Sequence, residues 1–167
     1  MGSSYSIWLM PEGAINEKLS EIILGIGQKH NSPKFSPHVT LVGGFDGEEN
    51  KLILKAEKLA KLLKPFKVKL TRVTYLDEFF RSLFILVEKT PEFLESVSKA
   101  REIFDFHKTN IPHLSLIYGN FSEETKLKII KDIGNEFNIE FDVKYIHLVI
   151  NNEKEKVWTK IKSFELK

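Results

Sequence analysis

The sequence predicts an α+β domain in which a duplicated β-α-β-α-β unit forms two antiparallel sheets, flanked by helices, around a central cleft. The first observation behind this is an internal repeat. Shifting the chain by 75 residues lays His38-Val39-Thr40-Leu41 on His113-Leu114-Ser115-Leu116. With no gap, the same shift lays Glu48-Glu49-Asn50-Lys51-Leu52 on Glu123-Glu124-Thr125-Lys126-Leu127, and Phe66, Val68 and Lys69 on Phe141, Val143 and Lys144. Upstream, a shift of 76 lays Ser6-Ile7-Trp8-Leu9 on Ser82-Leu83-Phe84-Ile85. The second observation is that strand and helix signals recur in the same order in both copies. The third is length: 167 residues is about twice 75 plus a closing strand. One copy alone would bury only a thin core, so residues 1–167 are expected to form a single domain, with repeats at about 5–78 and 81–167 forming its lobes.

The elements follow in order. Tyr5 to Met10 reads as a strand closed by Pro11, and Ile15, Leu19, Ile22, Ile23 and Ile26 keep helical spacing within a helix over about 14–29. His38 to Val42 is a short strand. Asp46 followed by Glu49 is a capping-box start for a helix over about 47–63, which Pro65 stops, and Phe66 to Leu76 alternates as a strand. The second copy opens with a strand over 82–88, after which Thr90-Pro91 supplies an N-cap and a first-turn proline for a helix to about Phe104. His113 to Tyr118 is a strand, Ser122 caps a helix to about Phe137, and Ile139 to Ile150 is a strand. Val157 to Leu166 adds a last strand, paired with its predecessor through the turn at 151–155.

Composition narrows the function. Lys+Arg is 25 and Asp+Glu is 23, and only Arg72, Arg81 and Arg101 are arginines. Such interleaved charge lacks the basic stripe of a protein that grips long nucleic acid, so a small substrate and no stable nucleic-acid complex are expected. With no cysteine, thiolate metal sites, disulfides and a cysteine nucleophile are excluded. No apolar run reaches the roughly 18 residues of a membrane span, and no secretory signal is recognisable. Met1-Gly2-Ser3-Ser4-Tyr5-Ser6 fits a myristoylation template at Gly2, but a lone acyl chain holds membranes only marginally. A cytoplasmic or nuclear monomer without membrane attachment is the expectation.

In each His motif the two-residue strand period sends His and the hydroxyl (Thr40, Ser115) to one face and the aliphatics to the other. One such motif reads equally well as a half-solvated strand. Two, each preceded by proline (Pro37, Pro112), point to a shared cleft, because duplicated units meet about a pseudo-two-fold axis. Imidazole titrates near pH 6.5, so one ring can accept a proton while its partner delivers one. Hydroxyls on the same face supply donors to phosphate oxygens, which suits in-line attack on a phosphodiester without metal or covalent intermediate. Zinc would need a third ligand, and neither motif carries a neighbouring carboxylate. Ser115 has no elbow glycines for serine-nucleophile chemistry. Of the other histidines, His30 is placed as a partner of a helix C-terminus, His107 in a loop and His147 within a strand.

Two H-x-[ST]-aliphatic motifs in a duplicated chain of this length resemble the 2H phosphoesterase superfamily, and within it the cyclic phosphodiesterases of plant and fungal type. The likeness runs essentially end to end. It rests on Tyr5-Ser6-Ile7-Trp8, Phe35-Ser36-Pro37-His38-Val39-Thr40, Phe79-Phe80, and Pro112-His113-Leu114-Ser115-Leu116-Ile117-Tyr118. The resemblance implies the bilobal 2H phosphoesterase (LigT-like) fold and no cofactor. It implies hydrolysis of nucleoside 2′,3′-cyclic phosphates to 2′-phosphates, and opening of ADP-ribose 1″,2″-cyclic phosphate, a by-product of tRNA splicing. It also implies that His38, Thr40, His113 and Ser115 surround the phosphate, with His113 the base and His38 the acid. Trp8 and Tyr118 would line the cleft, Phe80 would contact the base, and Arg81, uncharged in plant members, would add phosphate affinity. Plant members carry cysteines that this chain lacks. The competing readings are a phosphodiesterase for 2′-5′ oligonucleotides or RNA ends, a nucleotide-binding module without catalysis, and a metal-dependent phosphoesterase.

Overall fold

The computed structural model describes residues 3–167; Gly2, and with it the myristoylation pattern, lies outside the described residues. The elements in chain order are β1 (Ser4–Leu9), α1 (Gly13–His30), β2 (Val39–Phe45), α2 (Glu49–Leu62) and β3 (Phe66–Tyr75). They continue with a 3-10 turn (Phe79–Arg81), β4 (Leu83–Val87), α3 (Pro91–Phe104), β5 (His113–Ile117), α4 (Glu123–Ile133), β6 (Glu136–Val143), β7 (Tyr145–Asn152) and β8 (Val157–Glu165). Among the described residues no helix is long and apolar enough to cross a membrane.

The caps show where local signals held. Thr90 accepts from the Phe93 amide with Pro91 in the first turn, and Ser122 accepts from the Thr125 amide. The Asp46–Glu49 capping box does not form: Glu48 is the N-cap of α2, without a side-chain bond. α4 stops at Ile133 rather than near Phe137, because Gly134 takes φ +92 and turns the chain into β6. The single strand expected over 139–150 is two, broken at Lys144.

The strands form one curled antiparallel sheet in the order β6-β3-β4-β5-β2-β1-β7-β8. The two expected sheets are its halves, β5-β4-β3-β6 and β2-β1-β7-β8, joined through the single bridge Val39–Leu114. The lobes, however, are not the sequence repeats. β3, from the first repeat, lies in the second half, and β7 and β8 complete the first. The Phe66/Phe141 match therefore relates direct neighbours and not symmetry mates: Phe66 pairs with Val143 and Val68 with Phe141. β3 pairs with β4 because the chain leaving α2 reaches the other half, and β7 then fills beside β1 the place that β3 fills beside β4. Helices cross over as well, α1 packing on β5 and α3 on β2. One continuous apolar cluster thus spans both halves, with Ile7, Leu9, Val39, Leu83, Ile85, Leu114 and Leu116 at its centre. That shared core welds the halves into one body, leaving the opposite face of the junction for polar residues.

Candidate active site

The junction places the two motifs. Val39 and Leu114 pair antiparallel, so the same register sets His38 opposite Ser115 and Thr40 opposite His113, with all four side chains on one face. Both copies also carry an irregularity at the same place. β1–β2 pairing shifts between Ile7 and Trp8, and β4–β5 pairing shifts between Leu83 and Phe84. The residue passed over is Leu41 in one strand and Leu116 in the other, next to the two hydroxyl residues. Bulges re-aim neighbouring side chains and are frequent beside active sites.

The face opens into a cavity of about 420 Å³ lined by His38, Thr40, His113 and Ser115. Trp8, Phe80, Arg81 and Tyr118 line it too, so all eight residues singled out from the sequence meet in one place.

Each imidazole is anchored in the same way. His38 Nδ1 lies 2.7 Å from the Ser36 carbonyl oxygen and His113 Nδ1 lies 2.6 Å from that of Ile111. A carbonyl can only accept, so Nδ1 carries the hydrogen in both rings, and in the neutral form Nε2 is left as a base. Proline at 37 and 112 fits this design: it sits between ring and acceptor with a fixed φ and no competing N–H.

The surroundings differ. His38 is 6% exposed, and its ring lies flat on Trp8, with centroids 3.4 Å apart and planes 7° apart. Burial lowers its pKa to about 4, opposed by the bond to Ser36 and aided by the positive charge His113 can carry. His113 leans on Phe84, centroids 4.9 Å apart at 58°. Burial lowers its pKa as well, opposed by the Ile111 carbonyl and aided by the Arg81 cation. Arg81 is held by Glu78 at 2.6 Å and reaches Asn110 Oδ1 at 3.4 Å.

Tyr118 is buried between Phe35 (stacked, 4.1 Å) and Trp158 (5.4 Å), and burial pushes its phenol up against the opposing pull of a hydrogen bond with Ser115. Ser115 Oγ also reaches the Phe80 carbonyl at 3.5 Å. Lys126, 3% exposed, anchors the segment bearing Phe80 and Arg81 by donating to the Leu76 carbonyl at 2.8 Å.

Sequence reasoning missed Ser6, Gly43, Gly44, Asn110, Asn151, Glu153 and Trp158 in the lining. Ser6 was legible, since it shares the Trp8 face of β1 by strand period; it donates to Asn151 Oδ1 at 3.2 Å. Asn151 and Trp158 come from the C-terminal hairpin, and no sequence signal places that hairpin beside β1. Gly43 needs to be small, because a Cβ there would meet Thr40 Cγ2 at 2.9 Å and Ser6 Cβ at 3.0 Å. The remaining histidines stand outside the cavity. His30 lies edge-on to Phe121 in the last turn of α1, and His107 pairs with Asp105 at 2.8 Å. His147 contacts Ser163 Oγ at 2.7 Å, its pKa lowered to about 4 by burial and by Lys160. Among the described residues no three His, Asp or Glu side chains cluster in a way that could hold a metal ion.

A pair of backbone-anchored imidazoles, each with a hydroxyl across the junction, is a site for acid–base chemistry on a small anion. Residues 1–166 match the family model described as "Cyclic phosphodiesterase-like protein", and the chain belongs to that family. A cyclic phosphodiesterase of Arabidopsis thaliana is 29% identical over 126 residues, covering 73% of this chain and 68% of that one. A 2′,3′-cyclic-nucleotide 3′-phosphodiesterase of Yarrowia lipolytica is 28% identical over 137 residues, covering 77% of this chain and 63% of that longer protein. E. coli LigT, crystallised with 3′-AMP, shares the fold with a TM-score of 0.68, 14% identity and 99% coverage of both chains.

Proposed function

We propose that the chain hydrolyses cyclic phosphodiesters of nucleotides, converting nucleoside 2′,3′-cyclic phosphates to 2′-phosphates and ADP-ribose 1″,2″-cyclic phosphate to ADP-ribose 1″-phosphate. The observation that carries this is the matched pair of Nδ1-to-carbonyl bonds, which turns two neutral Nε2 atoms to one cavity. In this reading His113 Nε2 takes a proton from water as its oxygen attacks phosphorus in line. The bond from phosphorus to the leaving ribose oxygen breaks, and His38, entering the step as the imidazolium, gives its Nε2 proton to that oxygen. Thr40 and Ser115 donate to the non-bridging oxygens, where charge develops.

Two contacts support that division of roles. Burial first, and then the Arg81 cation, disfavours the His113 imidazolium and so keeps a base available. Burial opposes the His38 imidazolium, lowering its pKa to about 4, and the Trp8 face and a bound phosphate anion act against that burial. The names of the Arabidopsis and Yarrowia relatives support the substrate class.

A product assay with EDTA present tests the proposal, offering adenosine 2′,3′-cyclic phosphate and ADP-ribose cyclic phosphate to wild type, His38→Ala and His113→Ala. Each substitution is expected to cost at least ~10²-fold in kcat, with wild-type activity unaffected by the chelator. Full activity in either variant, or loss of wild-type activity to EDTA, would overturn the two-histidine mechanism.

A further inference from the structure

Lys126 is a charged side chain drawn into the interior: it lies in the N-terminal half of α4 and is 3% exposed. The 75-residue shift lays it on Lys51, so the two lysines hold corresponding places near the starts of α4 and α2. Lys51 stays in solvent, its side chain 76% exposed and paired with Glu48. Burying an ammonium group is costly unless something accepts its protons. The partners of Lys126 are three consecutive residues. Its Nζ donates to the Leu76 carbonyl at 2.8 Å, lies 3.8 Å from the fully exposed Asp77 carboxylate, and stands 5.7 Å from the Tyr75 ring centroid.

Those residues are where β3 ends and the turn carrying Phe80 and Arg81 begins. Glu123, three residues earlier on α4, takes the Tyr75 hydroxyl at 2.7 Å. Further along, the Gly119 amide donates to the Phe79 carbonyl at 2.9 Å, and Ser115 Oγ reaches that of Phe80 at 3.5 Å. These holds on the turn all come from one continuous stretch, Ser115 to Lys126, that starts in the second His motif. Leu76 is the pivot: its N–H donates inward to the Arg81 carbonyl at 3.1 Å, and its C=O accepts from Lys126. At the exit of the turn, Ser82 is fully buried and its hydroxyl has no partner among the described residues, so it adds no polar hold there.

We infer that Lys126 is a positioning residue of the reaction: through the Leu76 carbonyl it fixes the turn that presents Phe80 and Arg81 to the cavity, and so sets how tightly substrate is bound. The inference rests on the phosphodiesterase reading above and deepens it. Lys126 does not line the catalytic cavity, so it acts only through the turn. Its contribution falls on affinity, because His38, Thr40, His113 and Ser115 stand at the β2–β5 junction, whose register does not depend on the turn.

Lys126→Met tests this, since methionine keeps most of the side chain's length and removes both donor and charge. In hydrolysis of adenosine 2′,3′-cyclic phosphate, KM is expected to rise about tenfold while kcat falls less than about threefold. Added to a chain already carrying Phe80→Ala and Arg81→Gln, the same substitution should raise KM no more than about twofold further. Amide hydrogen exchange supplies a readout that needs no ligand. The Leu76, Arg81 and Gly119 amides, whose bonds close and hold the turn, are expected to exchange about tenfold faster, with the β4–β5 ladder unchanged.

A loss confined to kcat, an undiminished KM effect in the triple variant, or exchange that is unchanged or faster throughout the sheet would overturn the positioning role. Should Lys126→Met not fold, Lys126→Gln, which keeps a polar tip but ends one bond short, carries the same readouts. Failure of the wild type to hydrolyse the cyclic phosphate would overturn the phosphodiesterase reading alone, and faster exchange confined to the turn would still support the anchor.

Discussion

His38 and His113 occupy matching places in the two halves of the sheet, yet their rings meet different neighbours. Each follows a proline, bonds through Nδ1 to the carbonyl two residues upstream, and faces the other motif's hydroxyl residue across the Val39–Leu114 bridge. The residues behind them also correspond, since the repeat lays Trp8 on Phe84. But Trp8 lies flat under His38 at 3.4 Å, whereas Phe84 tilts against His113 at 4.9 Å. Arg81 adds a positive charge on the His113 side. Duplication supplies two equivalent bases, and the departures from symmetry are what can make one of them an acid. An indole face favours a cation more than a phenyl edge does, and a nearby guanidinium disfavours one.

The sharpest way to break that comparison is to remove the need for a general acid. A phosphodiester with a p-nitrophenolate leaving group departs without protonation. On that substrate His38→Ala is expected to recover most of its loss, while His113→Ala stays down by at least ~10²-fold because water still needs a base. Recovery in His113→Ala instead would exchange the two roles. Recovery in neither would mean that both imidazoles act mainly in binding the phosphate.

Acidity distinguishes the rings next. Burial lowers the pKa of His38 to about 4 and that of His113 below its ordinary value, so at neutral pH both rings are neutral. The productive form, one ring protonated and one not, is then most populated on the acid side of pH 6.5, and kcat/KM should peak there. Phosphate binding places an anion beside both rings and favours the imidazolium, so the kcat profile should lie at higher pH than that of kcat/KM. Above both titrations kcat/KM falls about tenfold per pH unit as the acid loses its proton. Coincident profiles, measured from pH 4 to 9, would show that phosphate does not reach the imidazoles.

The same comparison shows which parts of the molecule the sequence made legible. The His-x-hydroxyl pairs, their shared face and their meeting in one cleft depend on strand period and on duplication, both of which are local or translational patterns. Cap residues such as Thr90 and Ser122 were readable for the same reason: the group that bonds lies within one turn of the group it satisfies. Strand exchange was not readable. Whether β3 pairs within its own repeat or crosses to β4 is decided by sheet-wide packing, and either outcome leaves the Phe66-to-Tyr75 alternation unchanged. Ser6 was within reach of the period argument, but Asn151 and Trp158 owe their place to β7–β8 closing on β1. The stacking of Trp8 on His38 lay beyond sequence too, since a tryptophan on a strand serves equally as core or as cleft wall.

The smallest effect is also the one most specific to the asymmetry. Trp8→Phe makes the first half resemble the second while keeping an aromatic ring behind His38. If the indole helps hold His38 as an imidazolium, the weaker phenyl quadrupole lowers the population of the productive form. The loss in kcat/KM at its optimum should then be about three- to fivefold, the worth of roughly 1 kcal/mol of cation–π attraction. Were His38 the base, the same change would make its neutral form more abundant and kcat/KM would rise. The sign of the effect therefore assigns the roles even where its size is modest. Arg81→Gln acts on the other ring: without the cation His113 titrates at a higher pH, which takes a base out of action at a given acidity. Its effect on the mononucleotide substrate should run in the same direction as that of Trp8→Phe. Opposite signs in the two variants would mean that the two departures from symmetry do not serve one division of labour.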